Sequence, residues 1–246
     1  MYRIIEVGGF SNPAPNKIDN EDSFLLPTYN VNNDIVFAIA DGVGSSNGAS
    51  KASKQAVNAI SQKLNDKYFN LKECFYEAKM NVDELSIDNK SLSNSATTLT
   101  IAQVCNDVIN VGHIGDCRLY YKSGNKLVQI TKDHTRYQEL LDSKEHSLNK
   151  IRKHKQRLSA VLTKAISHDA PTDPDYFSVP LSEITNENNE IVLIMMSDGT
   201  YHYWDKRPRF SEATMNSPSA FASSLRKRVQ KQAHDDYTLV CVKLRS

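Results

Sequence analysis

The chain has 246 residues, 39% of them hydrophobic, and its 30 basic and 29 acidic side chains nearly cancel to a net charge of +1. That length suffices for one large domain with a substantial core, and no Gly/Ser-rich or Pro-rich linker divides it, so we expect a single domain over 1–246. The charge balance gives no electrostatic case for a nucleic-acid or membrane partner, and the longest apolar run, Ile191 to Met196, is far short of the ~20 residues of a membrane helix.

In chain order, Arg3 to Gly8 and Asp34 to Ala40 read as strands, the second an almost unbroken apolar run. Asn47 to Tyr68 has helical spacing, with Ala49, Ala52, Ala56, Ala59, Ile60 and Leu64 on one face. Leu71 to Leu85 reads as a second helix. Thr97 to Val104 and Val108 to His113 read as strands joined by the turn-forming Asn106-Asp107 pair. A hairpin is expected from Leu119 to Lys122 and Lys126 to Ile130, around Ser123-Gly124-Asn125. Charged, helix-favouring sequence fills His134 to Arg157, and Pro171 to Pro174 reads as a surface turn. Ile191 to Met196 reads as a buried strand, Pro218 to Gln232 as a helix and Tyr237 to Leu244 as a closing strand. Strands, a helix pair and further hairpins indicate a layered α+β fold in place of alternating βαβ units.

The amino terminus has no basic segment followed by a long apolar run, which argues against a signal peptide. Cys74, Cys105, Cys117 and Cys241 lie far apart with no C-x-x-C spacing, so neither a zinc site nor a disulfide framework is expected. A cytoplasmic protein with reduced, mostly buried thiols follows.

The acidic residues fall at the ends of the expected strands. Glu21-Asp22 precede the apolar Phe24-Leu25-Leu26, and Asp41-Gly42 follow DIVFAIA. Gly115-Asp116 close VGHIGD, Asp198-Gly199 follow IVLIMMS, and Asp235-Asp236 precede YTLVCV. A carboxylate at the tip of a buried strand is held rigidly while its head faces a cleft. Several together repel one another unless a cation neutralises them, and hard oxygen donors of this kind suit Mg²⁺ or Mn²⁺.

The segments NEDSF (20–24), AIADGVG (38–44), SATTLT (95–100), GHIGDCRLYY (112–121), ITKDHT (130–135), LTKAIS (162–167), IVLIMMSDG (191–199) and DDYTLVCV (235–242) span essentially the whole chain. In that order they resemble the type 2C (PPM) metal-dependent protein serine/threonine phosphatases of bacterial type. The resemblance implies a four-layer αββα sandwich of two antiparallel sheets flanked by helices, with two Mn²⁺ or Mg²⁺ ions at one edge and a third ion beside them. It assigns Asp41 as the residue bridging both metals, with the Gly42 carbonyl on the first and Asp198 and Asp235 on the second. Glu21 and Asp22 act through metal-bound water, and Asp116 contributes with Asp198 to the third site. A metal-bridging water or hydroxide would attack phosphoserine or phosphothreonine in line, without a protein nucleophile, in agreement with the lack of a C-x₅-R signature. The expected partners are phosphorylated protein substrates and a cognate serine/threonine kinase, with the phosphatase a monomer.

Two departures from the family pattern concern the phosphate. Lys17 stands where many members carry a phosphate-gripping arginine, giving a point charge in place of a bidentate fork. Val43 stands where eukaryotic members have a general-acid histidine, which leaves protonation of the leaving group to water or another residue. Ala96 replaces a usual glycine and Asp236 a usual asparagine; the added charge at 236 either strengthens metal attraction or sits in solvent. His113 and His134 are expected to be structural. The basic run Lys150 to Arg157 lies where the family has its variable flap, as a solvated face or an anion-recruiting one. Alternatives are an inactive phosphoprotein-binding module of the same fold and a two-metal nuclease or small-molecule phosphohydrolase.

Overall fold

The computed structural model describes residues 2–15, 17–44 and 48–246. Among these, the strands are β1 (Arg3–Asn12), β2 (Asp22–Tyr29), β3 (Ile35–Asp41), β4 (Ala96–Thr97), β5 (Leu99–Cys105) and β6 (Val108–Ile114). They continue with β7 (Arg118–Ser123), β8 (Lys126–Gln129), β9 (Ile166–Ser167), β10 (Asp175–Pro180), β11 (Glu190–Met196) and β12 (Tyr237–Arg245). The helices are α1 (Ala49–Lys63), α2 (Leu71–Asp88), α3 (Arg136–Ser143), α4 (Leu148–Lys153), α5 (Lys155–Ser159), α6 (Asp198–Lys206), α7 (Glu212–Asn216) and α8 (Pro218–Val229). One five-stranded sheet runs β1-β12-β11-β7-β8 and the other β10-β6-β5-β3-β2, while β4 and β9 pair separately. Pairing is antiparallel throughout.

The central strands carry near-continuous apolar runs because both faces are covered. In β3, Ile35, Phe37 and Ile39 point between the sheets, and Val36, Ala38 and Ala40 pack under α1 and α2. In β11, Leu193 and Met195 face the other sheet, while Val192, Ile194 and Met196 face α6 and α8. β12 divides likewise, Val240, Val242 and Leu244 inward and Leu239 and Cys241 outward. Alternation with a period of two thus sorts one unbroken run into two cores. The small alanines of α1, Ala52, Ala56 and Ala59, bring that helix close to its sheet. Two sheets between two helical layers form the αββα sandwich expected from the sequence.

The differences are local. α1 ends at Lys63, short of Tyr68, and the expected start at Asn47 lies outside the described residues. The charged stretch after His134 breaks into three short helices, because Lys144 adopts a left-handed conformation (φ 55°) that stops α3 and His154 separates α4 from α5. β2 and β10 carry prolines, Pro27 and Pro180, that suppress the strand signal. Both are edge strands, where a missing ladder donor is tolerated. No described helix is long and apolar enough to cross a membrane.

Candidate active site

Antiparallel register brings the acidic strand ends to one edge of the sandwich. β2 and β3 pair so that Asp22 lies directly across from Asp41. Thr98 fixes the Asp41 backbone from both sides: its N–H donates to the Asp41 carbonyl at 2.8 Å and its Oγ1 accepts from the Asp41 N–H at 2.9 Å. The Thr97 hydroxyl donates to the same carbonyl at 3.0 Å. The adjacent Thr-Thr pair of the SATTLT segment therefore sets the position of Asp41. The Gly42 N–H donates to the Glu21 carbonyl at 3.0 Å, and a Cβ at 42 would fall 2.5 Å from the Ala49 carbonyl oxygen. Glycine is the residue that fits this close backbone approach.

The other sheet contributes Asp198 and Asp235. Ser197 follows β11, and its hydroxyl donates to Asp22 Oδ2 at 2.8 Å across the sandwich while its Oγ accepts the Thr238 N–H at 3.0 Å. This joins the two sheets at the acidic edge. Asp198 opens α6, and a Cβ at Gly199 would lie 2.0 Å from the Asp236 carbonyl oxygen, so the helix start presses directly on the turn that holds Asp235 and Asp236. The charges of Asp198 and Asp235 act on the Asp41 carboxyl from this sheet.

Burial, followed by repulsion from neighbouring carboxylates, raises the pKa of Asp41 and Asp116 well above the ordinary carboxylate range and that of Asp198 less so. Asp22 is pushed up to about 7, by burial and then by the charges of Asp198 and Asp236, against the hydroxyls of Thr238 and Ser197. Its Oδ1 is buried and lacks a hydrogen-bond partner among the described residues. Among those residues, no three acids, histidines or cysteines close around a single point as they stand. The donors nonetheless fit a divalent cation: hard carboxylate oxygens, mutually repelling, with one buried oxygen unpaired and a backbone carbonyl in an uncrowdable glycine beside them.

The sequence left the role of Asp236 open. It is buried, 3% exposed, and accepts the N–H of Ala14 at 2.6 Å and of Glu21 at 2.7 Å. It thereby ties the loop carrying Lys17 and Glu21 to β12. Lys17 Nζ lies 2.6 Å from Glu21 Oε2, 3.5 Å from Asp236 and 3.9 Å from Asp235. The departures at 17 and 236 are therefore one paired feature, a lysine set among the acids that the extra carboxylate helps to hold.

Asp116 follows β6 and is held by residues that the sequence did not single out. The Tyr201 hydroxyl donates to Asp116 Oδ2 at 3.4 Å, and burial pushes the pKa of that hydroxyl well up, so it stays a donor. The Arg118 guanidinium stacks 3.6 Å above the Tyr201 ring and forks onto Asp133, with a further contact to Asp205 at 3.0 Å. His134 Nδ1 accepts the Gly115 N–H at 3.0 Å, and its Nε2 meets Asp175. His113 bonds to the Thr100 hydroxyl and the Lys132 carbonyl; burial holds it neutral, with its pKa lowered to about 4. Both histidines are thus held by hydrogen bonds inside the fold. A signal existed for Arg118 and Asp133, since both lie inside the quoted segments; only the fold shows them bonded. The basic run Lys150 to Arg157 is exposed except for Ile151. The four cysteines are free, with Cys74, Cys117 and Cys241 buried.

The chain is similar to proteins of known family and fold. The family model described as Protein phosphatase 2C matches residues 14–235. Serine/threonine phosphatase stp of Listeria welshimeri is 26% identical over 183 residues, 69% of this chain and 68% of its own. A putative protein phosphatase of Mycoplasma genitalium is 23% identical over 265 residues, 96% of this chain and 94% of its own. Among solved structures, Stp1 from Staphylococcus aureus is similar with a TM-score of 0.77 at 20% identity, over 98% of this chain and 95% of that one. The catalytic domain of the serine threonine protein phosphatase PstP, in complex with two manganese ions, is similar with a TM-score of 0.73 at 19% identity, over 100% and 99% of the two chains. These two likenesses establish the fold; the match over 14–235 establishes the family. The chain belongs to the protein phosphatase 2C family.

Proposed function

We propose that this chain is a metal-dependent protein phosphatase that removes phosphate from phosphoserine and phosphothreonine. The observation that carries the reading is the gathering of Asp22, Asp41, Asp116, Asp198 and Asp235 from both sheets at one edge of a family-typical fold. Such an edge is strongly anionic and suits no phosphate by itself, so cations are required to bring phosphate in.

In this reading Asp41, the Gly42 carbonyl, Asp198 and Asp235 would hold two divalent cations, manganese or magnesium. Glu21 and Asp22 would support them from outer positions, and Asp116 with Asp198 would hold a third ion. When bound, such ions lower the pKa of water and stabilise charge on the attacking and leaving oxygens, the demanding part of phosphomonoester hydrolysis. The chain's own residues set the geometry. Thr97 and Thr98 hold Asp41, Ser197 holds Asp22 and Tyr201 holds Asp116. Lys17 supplies a point charge for the substrate phosphate, steadied by Asp236. With Val43 after Asp41-Gly42, no imidazole follows the Asp-Gly pair to protonate the leaving serine or threonine, which leaves that role to water or another residue. We place the enzyme in the cytoplasm as a monomer opposing a cognate serine/threonine kinase.

The test is manganese-dependent hydrolysis of p-nitrophenyl phosphate and of a phosphothreonine peptide. Asp41→Ala and Asp198→Asn are each expected to lower kcat by at least about 100-fold, the scale of losing a preorganised charge-stabilising group. Full activity in either variant overturns the site assignment. No metal-dependent hydrolysis by the wild type would favour a phosphoprotein-binding module.

A further inference from the structure

A second charged feature lies away from the acidic edge, where the segment after α6 folds against α8. Arg207, Arg209, Lys227 and Lys231 line a surface pocket of about 450 Å³, with Arg228 and Phe210 in its wall. The first four are exposed. Among the described residues none of these five basic side chains forms an ion pair with an Asp or Glu. Arg118, by contrast, is forked onto Asp133 and also meets Asp205. The pocket is thus a concentration of one sign of charge with no internal neutralisation.

Arg228 gives the pocket a fixed side. Its guanidinium lies 4.1 Å over the Phe210 ring and donates to the carbonyls of Arg207 at 2.6 Å and Arg209 at 3.1 Å. Phe210 is in turn set edge-on against Phe221 at 5.5 Å and near Trp204 at 5.8 Å. These contacts hold the 207–209 backbone in place over α8 and leave part of the Arg228 fork free. Partial burial and the charge of Arg207 lower the pKa of Arg228, as expected where positive charge is crowded. The hydroxyls of Ser211 and Ser224 add neutral polar groups to the wall.

We infer that this pocket is a second phosphate-binding site, one that receives a phosphorylated side chain of a phosphoprotein without hydrolysing it. The inference rests on the phosphoprotein reading above for the source of its ligand. The concavity and confined charge favour a compact dianion over an extended polymer. A single-stranded nucleic acid would use bare aromatic faces, and the one aromatic lining the pocket, Phe210, is covered by Arg228. An anionic membrane would be met by a flat or convex basic surface, whereas these cations line a hollow. The lining residues include no acidic side chain, so a phosphate bound here has no centre to cleave it. Since α6 has Asp198 at its start and ends at Lys206 beside the pocket, the two sites lie at opposite ends of a helix about 13.5 Å long. A multiply phosphorylated segment of a few extended residues matches that separation.

Binding should be measured on the full chain in EDTA, which removes the metal contribution of the acidic edge. A fluorescent phosphothreonine peptide, its unphosphorylated form, inorganic phosphate as competitor, single-stranded RNA and vesicles of equal parts phosphatidylcholine and phosphatidylserine serve as probes. The phosphopeptide is expected to bind and its unphosphorylated form not, with phosphate competing. The double variant Arg207→Glu/Lys227→Glu should weaken binding by at least about tenfold. The same variant should keep p-nitrophenyl phosphate hydrolysis in manganese within about twofold, since neither residue belongs to the acidic edge. Arg209→Glu/Lys231→Glu repeats the test should the first variant lose its far-ultraviolet circular dichroism. Phosphopeptide binding unchanged by charge reversal, or equal binding of the unphosphorylated peptide, overturns the inference. So does RNA or vesicle binding that is tighter than phosphopeptide binding and lost in the same variants. Absent hydrolysis with intact binding in EDTA would instead overturn the catalytic reading alone.

Discussion

At the scale of single residues, Lys17 and Asp236 depart from the family pattern together, and the structure shows why. A carboxylate at 236 satisfies two backbone N–H groups at once, those of Ala14 and Glu21, and also faces Lys17 at 3.5 Å. Asparagine offers one acceptor oxygen, so Asp236→Asn would turn an amide N–H₂ toward one of these donors. The expected cost is about 1–3 kcal/mol of stability in urea unfolding, the usual scale for leaving a buried donor unsatisfied. Replacing Lys17 by arginine should lower KM for a phosphopeptide by about 3–10-fold through a bidentate grip, and Lys17→Ala should raise it. Equal KM values across lysine, arginine and alanine would mean that Lys17 serves only the acids around it.

At the scale of elements, the decisive junctions are those where a strand ends in a carboxylate and a second segment crowds against it. Gly199 shows this most sharply, with its ideal Cβ position 2.0 Å from the Asp236 carbonyl oxygen. Gly199→Ala has no flexible neighbour to displace, because the obstacle is backbone. The start of α6 must move away from the turn at 235–236, separating Asp198 from Asp235. The expected result is destabilisation of about 1–3 kcal/mol together with a manganese requirement raised at least about tenfold, read as the metal concentration for half-maximal hydrolysis. An unchanged metal requirement would show that this contact does not set the acidic edge. The same logic accounts for the Thr-Thr pair before β5, whose hydrogen bonds to the Asp41 backbone place one sheet's carboxylate without touching its charge.

At the scale of the whole molecule, the acidic edge is a source of strain in the metal-free protein. Asp22, Asp41, Asp116 and Asp198 are largely removed from water and repel one another, which raises all four pKa values. An acid whose pKa is raised on folding is ionised first in the unfolded chain. Its contribution to stability is therefore present at low pH and is lost as pH rises from the unfolded value through the folded one, for Asp22 between about 4 and about 7. A divalent cation relieves that cost at neutral pH. Manganese at about 100 times its Kd should add about 2.7 kcal/mol and raise Tm by about 5–10 °C over an EDTA-treated sample. No shift in Tm on adding manganese would argue against ion binding at this edge.

Much of this was legible in the residues themselves. The unbroken apolar runs of β3, β11 and β12 announce strands covered on both faces, and the carboxylates placed just beyond them announce the acidic edge on which the proposed cation site rests. Chain order then carries the family resemblance, because each acid is local to its strand end. Other features escaped for physical reasons. β2 and β10 lie at sheet edges, where proline is tolerated and half of the pattern faces solvent, so local composition underreports them. The clamp of Asp236 on Ala14 and Glu21, the Ser197–Asp22 bridge between sheets and the Arg118–Tyr201–Asp116 stack join residues remote in sequence or set on separate elements. The pocket between the segment after α6 and α8 likewise exists only once Arg228 has drawn the 207–209 backbone over the helix. Sequence by itself determined which side chains carry charge and which strand ends hold them. Tertiary structure alone decided which of those charges meet, since contact between distant residues depends on sheet register and packing and leaves no trace in local periodicity.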